Sequence, residues 1–218
     1  EIFGKVWNAL MKEQKELFPP ESVIFDSAIF KASPLKKLTK KQQEAKDLII
    51  SRVMAAISSG KEGQLVFVQG EAGTGKTVLP TSTFYELIRQ GQEICGRPLD
   101  CHLLVNHDQQ LGVYEQMAER LDLGDNVVSK PTSFINSHNP SSKVDVSFID
   151  EGHLLLTQGK QSYQGTNQLE DVMARSKVTV IMFDEFQVLT AEEYWEQEVL
   201  EHFKDISKKQ ENHITLDY

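Results

Sequence analysis

Gly70-Glu71-Ala72-Gly73-Thr74-Gly75-Lys76-Thr77 is the stretch on which the fold turns. It satisfies G-x-x-x-x-G-K-[ST] at every position, directly after the apolar run Leu65-Val66-Phe67-Val68 and before a segment that can form a helix. Glycines at 70, 73 and 75 let the backbone wrap its N–H groups, that of Thr74 included, around a phosphate, and the start of the helix adds positive potential. Lys76 then reaches the β- and γ-phosphates, and the Thr77 hydroxyl faces Mg²⁺. A glycine-rich turn without a ligand would give the same letters, but not the same strand-to-helix context. Pro80 falls just past the first helical turn if the helix starts near Gly75. It removes an N–H that would pair back to Lys76, so a local kink is expected.

Outward from the loop, apolar runs recur at Leu103-Leu104-Val105, Val144 to Ile149 and Val178 to Phe183. Segments able to hold helices, such as 108–121 and 168–176, separate them. Strands alternating with helices imply a parallel sheet with right-handed crossovers, hence an α/β fold. Upstream, Thr39-Lys40-Lys41-Gln42 starts a helix that runs to about Ser59, with Ser59-Gly60 as its stop. Residues 2–18 carry apolar positions at near-helical spacing and end at Pro19-Pro20, which predicts an amphipathic helix. Residues 1–37 are therefore expected to form a helix and connector packed on a domain spanning 38–218. The polar stretches 136–143 and 157–168 are expected to be mobile loops. The ending at Ile214-Thr215-Leu216 looks like a cut, since a strand beginning there would need neighbours that this sequence need not contain.

A chain of 218 residues, 39% hydrophobic and 25% charged, has the volume for one ordinary domain core. It contains no apolar run long enough to span a membrane and no charged-then-apolar leader, so no membrane partner is expected and the cytoplasm is the default. Cys95 and Cys101 match neither a redox pair nor a metal knuckle and read as reduced thiols. The formal charge of −9 disfavours tight nonspecific binding to phosphate backbones by this domain alone, so any nucleic-acid contact must be local or shared.

Val144 to Glu151 is a mostly apolar strand that ends in two adjacent carboxylates, at the edge of a parallel sheet where such folds hold ligands. Asp150 is expected to hold Mg²⁺ through its water shell, and Glu151 to polarise an attacking water as general base. A solvated acidic turn is the alternative. Val178 to Phe183 is a second buried strand with polar residues at its end, Asp184-Glu185-Phe186-Gln187. A glutamine there can hydrogen-bond a γ-phosphate oxygen and the catalytic water, and so report the nucleotide state.

Taken in order, these residues resemble superfamily 1 helicases and the related bacterial P-loop proteins akin to Schlafen-type and RecD-type NTPases, over roughly residues 38–218. The resemblance implies a RecA-like motor domain that uses ATP. Leu38-Thr39-Lys40-Lys41-Gln42 looks like the adenine-reading Q motif, which would make Gln42 a partner of the adenine edge; a capping box explains the same letters, and both can hold at once. Leu104-Val105-Asn106-His107 is similar to the family's motif Ia, and Lys130-Pro131-Thr132-Ser133-Phe134 to a segment along the nucleic-acid path. Asn106, His107 and Thr132 are thereby candidate contacts to a single strand, although a polar loop and a buried Phe would look alike. Asp150-Glu151-Gly152-His153 resembles the DExH form of the acidic motif, and Asp184 to Gln187 the D-x-x-Q of motif III. His153 is either coupled to that motif or a satisfied supporting residue.

Superfamily 1 enzymes complete the ATP site with arginines from a second RecA-like domain. The resemblance therefore implies such a domain in cis beyond Tyr218, and slow hydrolysis without it, since an arginine finger is worth about 10³ to 10⁵ in rate. Lys76, Glu151 and Gln187 are the expected catalytic set. A nucleotide-gated switch in a defence or signalling protein is the alternative, favoured by the acidic charge. A AAA-type ring ATPase fits Gln187 poorly, and a small-molecule kinase fits the acidic run Glu192, Glu193, Glu196, Glu198 and Glu201 poorly.

Overall fold

The computed structural model describes residues 34, 37–70, 78–157, 163–185, 187 and 195–216. In chain order these form α1 (Lys40–Ser58), β1 (Gln64–Gly70), α2 (Val78–Cys95), β2 (Cys101–Val105), α3 (Asp108–Arg120), β3 (Val128–Ser129) and α4 (Pro131–Ser137). There follow β4 (Val144–Asp150), a 3₁₀ turn (Gly152–Leu154), α5 (Gln168–Ala174), β5 (Ser176–Phe183), α6 (Gln197–Lys209) and β6 (His213–Leu216). The expected N-terminal helix at 2–18 lies outside the described residues.

The strands make one six-stranded sheet in the order β3-β2-β4-β5-β1-β6, and every pairing is parallel. Both faces are covered, which explains why the strands read as near-continuous apolar runs. Val66 and Val68 of β1, Leu103 and Val105 of β2 and Val178, Val180 and Met182 of β5 pack with Ile49 and Val53 of α1, Leu79, Phe84 and Leu87 of α2 and Tyr114 of α3. Their alternate neighbours Leu65, Phe67, Leu104, Ile181 and Phe183 pack on the other side with Phe134 of α4, Leu169 and Val172 of α5 and Leu200 and Phe203 of α6. This is the expected α/β class, with helices on both faces of a parallel sheet.

Three local features refine the sequence reading. Ile214 to Leu216 finds its neighbour within this chain: β6 lies parallel to β1, with Phe67 opposite His213 and Gly70 opposite Leu216. Residues 136 and 137 are the end of α4 rather than loop. The acidic stretch after Gln187 continues into α6, an amphipathic helix whose buried face is Leu200, Phe203, Lys204 and Ser207, at i, i+3, i+4 and i+7. Lys204 survives burial there by pairing with Glu201 and Glu185.

At the opposite end of the sheet from the site, Asp145 of β4 acts as a staple. It accepts both guanidinium nitrogens of Arg97, the Lys177 ammonium at 2.9 Å and the backbone N–H of Asp100 at 3.0 Å. Burial raises its proton affinity, but those donors outweigh it and hold the carboxyl well below the usual range. Cys95 and Cys101 are both free thiols, and burial pushes the Cys101 thiol up, away from reactivity. Among the described residues no helix is long and apolar enough to cross a membrane.

Candidate functional site

The sheet brings three predicted segments to one edge. β1 ends at buried Gly70, β4 ends at Asp150, and β5 runs between them. The registers Gln69 opposite Phe183 and Ile149 opposite Ile181 bring the ends of all three strands nearly level. With one strand intervening, the start of the glycine loop and the acidic pair stand roughly 10 Å apart, about two inter-strand spacings. Gly73, Thr74, Gly75, Lys76 and Thr77 lie outside the described residues, and so does the Lys76 carbonyl that a residue at 80 would otherwise have met.

Asp150 is only 2% exposed, and helix α3 satisfies it. Its Oδ2 accepts the Tyr114 hydroxyl at 2.7 Å and the Gln110 side-chain amide at 2.9 Å, while Oδ1 accepts the backbone N–H of Glu151 at 3.0 Å. Gln110 and Tyr114 are one helical turn apart, on the face of α3 that meets the end of β4, and they also bond each other at 2.9 Å. Burial, then the Asp150 charge, raise the Tyr114 phenol well above its ordinary value, so it stays protonated and can only donate to the carboxylate.

Glu151 turns the chain in the left-handed conformation, φ 54° and ψ 48°. A non-glycine residue there carries about 1 to 2 kcal/mol of strain, which the surroundings must hold. They do so through Gly152, whose Cα sits so close to β5 that an added Cβ would stand 2.4 Å from Ile181 Cγ1 and 3.0 Å from the Met182 carbonyl. The turn closes with Leu154 N–H donating to the Glu151 carbonyl at 2.9 Å. Glu151 Oε2 then meets buried His153 Nε2 at 3.2 Å, and the His153 ring packs edge-on against Phe183, with centroids 6.3 Å apart. His153 thus supports the carboxylate and touches the strand that leads to Asp184.

Gln187 folds back on that strand end: its side-chain amide donates to Asp184 Oδ2 at 2.7 Å, and Asp184 is fully buried. Asn106 donates to the Leu154 carbonyl, which ties the end of β2 to the turn after Glu151. His107 is the exposed N-cap of α3, beside the Asp108–Lys130 ion pair. Thr132 accepts from the buried Gln168 amide at 2.9 Å, and Phe134 of the same segment is fully buried against His102 and His138. At the start of α1 the Thr39–Gln42 capping box forms, with the Gln42 side chain accepting from Thr39 N–H at 2.9 Å and Thr39 Oγ1 accepting from Gln42 N–H at 3.3 Å.

Sequence reasoning missed Gln110, Tyr114 and the packing role of Gly152. The i, i+4 spacing of the first two was visible, but their target depends on how α3 docks on β4. The donor set suits a hard divalent cation. It offers carboxylate oxygens, and among the described residues no group of three His, Cys, Asp or Glu side chains could hold a metal alone. A cation bound here would be shared with phosphates and water, the usual situation for Mg²⁺.

A phosphate-loop sequence at the end of β1, with buried Asp150 and half-buried Glu151 across one intervening strand, defines a P-loop NTPase domain. Residues 63–218 match the family described as Schlafen group 3, DNA/RNA helicase domain, and the chain belongs to that family. It is similar to the uncharacterized protein YPL245W of Saccharomyces cerevisiae, 29% identical over 191 residues and covering 82% of this chain. The chain spans 42% of that relative's length. Among solved structures it is similar to domain III of the replication initiation protein DnaA from Thermotoga maritima (13% identity, TM-score 0.41, 83% of this chain and 64% of that one). AMPPCP-bound DnaA from Aquifex aeolicus is also similar (14% identity, TM-score 0.40, 84% of this chain and 48% of that one).

Proposed function

We propose that this domain binds ATP with Mg²⁺ and hydrolyses it, as the first RecA-like motor domain of a superfamily 1 helicase-like protein that acts on single-stranded nucleic acid in the cytoplasm. The observation that carries the reading is the convergence of Gly70, Asp150-Glu151 and Asp184-Gln187 on one sheet edge, in a chain of a helicase-domain family. In this reading the loop amides, with Lys76, bind the phosphates, and Thr77 and Asp150 hold the cation's water shell. Mg²⁺, when bound, neutralises charge on the β- and γ-phosphates. Glu151, oriented by His153, accepts a proton from the attacking water, and Gln187 senses the γ-phosphate by leaving or keeping its bond to Asp184. Gln42 reads the adenine edge while its helix stays capped. Arginines from a second RecA-like domain beyond Tyr218 complete the site, so turnover by residues 1–218 alone is slow.

The test is ATP turnover with and without single-stranded DNA or RNA, in a protein extended past Tyr218. Stimulation by either strand supports the motor; none refutes it. The second reading, a nucleotide-gated switch without translocation, has its own support. Asn106 and Thr132 commit their side chains to Leu154 and Gln168, and the chain carries a net charge of −9. Nucleotide-dependent binding of a protein partner, without strand stimulation, would select it.

A further inference from the structure

Helix α3 makes contacts at this site that phosphate binding alone does not explain. Gln110 and Tyr114 on the helix, and Asn106 just before it, are spaced by four residues, and each donates a hydrogen bond into the end of β4 or the turn after it. The lower two converge on a single oxygen, Asp150 Oδ2, and occupy both of its acceptor directions. A buried carboxylate held this way cannot rotate, so any contact it makes to a cation or its water is directed to Oδ1. The Tyr114 ring is fully buried in the core between α3 and the sheet, so its hydroxyl is delivered by a rigid support. Gln110 is half-buried and donates to both the Tyr114 hydroxyl and the carboxylate, which closes the triangle.

We infer that Tyr114 and Gln110 are positioning residues that aim the Asp150 carboxylate at the nucleotide-bound divalent cation, and that helix α3 thereby sets the cation affinity of the site. The inference rests on the nucleotide-site reading of Asp150. It also gives the strip that begins at Asn106 and His107 a mechanical link to the site: a shift of α3, from whatever contacts its exposed N-terminal end, moves the donors on Oδ2. Partners of this kind, which orient a metal ligand without touching the metal, typically change metal affinity by about 10- to 100-fold when removed.

The test measures binding of a fluorescent ATP analogue to wild type, Tyr114→Phe, Gln110→Leu, the double variant and Asp150→Asn, first in EDTA and then across a Mg²⁺ titration. Tyr114→Phe keeps the buried ring, Gln110→Leu changes a partly exposed side chain, and each leaves the other donor on Oδ2, so both should fold and melt somewhat below wild type without ligand. The expected result is unchanged affinity in EDTA, with the Mg²⁺ midpoint raised about tenfold in each single variant and further in the double one. An unchanged midpoint in the double variant overturns the inference, as does an equal loss of affinity with and without Mg²⁺, which marks general distortion. If wild type shows no Mg²⁺ dependence, or Asp150→Asn keeps it in full, the nucleotide-site reading itself falls and the inference falls with it. Should Tyr114→Phe fail to fold, Gln110→Leu alone decides by the same midpoint.

Discussion

Replacing Gly152 by alanine puts one methyl group where β5 already stands. The added Cβ would lie 2.4 and 2.5 Å from Cγ1 and Cδ1 of Ile181 and 3.0 Å from the Met182 carbonyl oxygen. Ile181 is fully buried, and Met182 belongs to the ladder that holds β5 between β4 and β1, so neither can retreat freely. Gly152 is not among the residues with positive φ, so the cost is steric rather than conformational. Overpacking of this kind costs about 1 to 3 kcal/mol. For a domain of this size each kcal/mol lowers Tm by about 2 to 4 °C, so a fall of about 2 to 12 °C is expected by calorimetry. Relief of the clash moves the turn that carries Glu151 and His153, so ATP turnover should drop by about tenfold or more, given how steeply rate follows misplacement. Ile181→Val removes Cδ1 and alone costs about 0.5 to 1.5 kcal/mol. Combined with Gly152→Ala it should cost less than the two separate losses added together, by about 1 kcal/mol of favourable coupling. A Gly152→Ala protein that melts with wild type and turns over ATP at the same rate would refute the packing argument.

Other perturbations probe other parts of the molecule. Asp145→Asn removes the negative charge and one of the two acceptor oxygens shared by Arg97, Lys177 and Asp100 N–H, and should cost about 1 to 3 kcal/mol in urea denaturation. Because the folded Asp145 carboxyl sits below its ordinary range, its contribution is full above about pH 4 and is lost as pH falls through lower values; Asp145→Asn should flatten that acid limb. Burial lowers His102 against the upward pull of Asp100, with His138 adding to the lowering, so its contribution is full above about pH 6.5 and declines below it. Urea unfolding at pH 7.5 and 5 should show that decline, smaller in His102→Phe. Thr39→Ala should cost about 1 kcal/mol through the lost cap and leave base selectivity intact, whereas Gln42→Ala should also erode any preference for ATP over GTP, measured by competition binding. Equal selectivity in both variants would assign Gln42 to the cap alone.

The sheet was legible because strands buried on both faces are apolar throughout, so β1, β2, β4 and β5 stand out between polar segments. The glycine loop and the Asp150-Glu151 pair stand out in the sequence because the chemistry they suggest demands fixed spacings, and the sheet sets Gly70 and Asp150 at one edge. The place of β6 was not legible because an edge strand of four residues says nothing of its partner; only the sheet shows that Ile214 lies beside Val68. α6 escaped because its buried face contains Lys204 and Ser207, whose burial depends on Glu185, Glu201 and the helix's own Lys204 carbonyl. Tyr114 and Gln110 looked like ordinary helix residues, since their target lies 36 and 40 positions away. Asn106 and Thr132 show the converse: polar residues that suggest outside contacts have partners inside, at Leu154 and Gln168. Residue type gives the capacity to bond, and only tertiary docking decides with what.

The most direct test of the nucleotide site is the melting temperature of wild type and Lys76→Ala with and without ATP and Mg²⁺. A ligand that binds only the folded state stabilises it by about 2.7 kcal/mol at a hundred times its Kd, so wild type should melt several degrees higher with ATP and Lys76→Ala should not shift. Equal shifts in the two proteins, or none in wild type, would contradict the assignment of Gly70 to Thr77 as the phosphate loop.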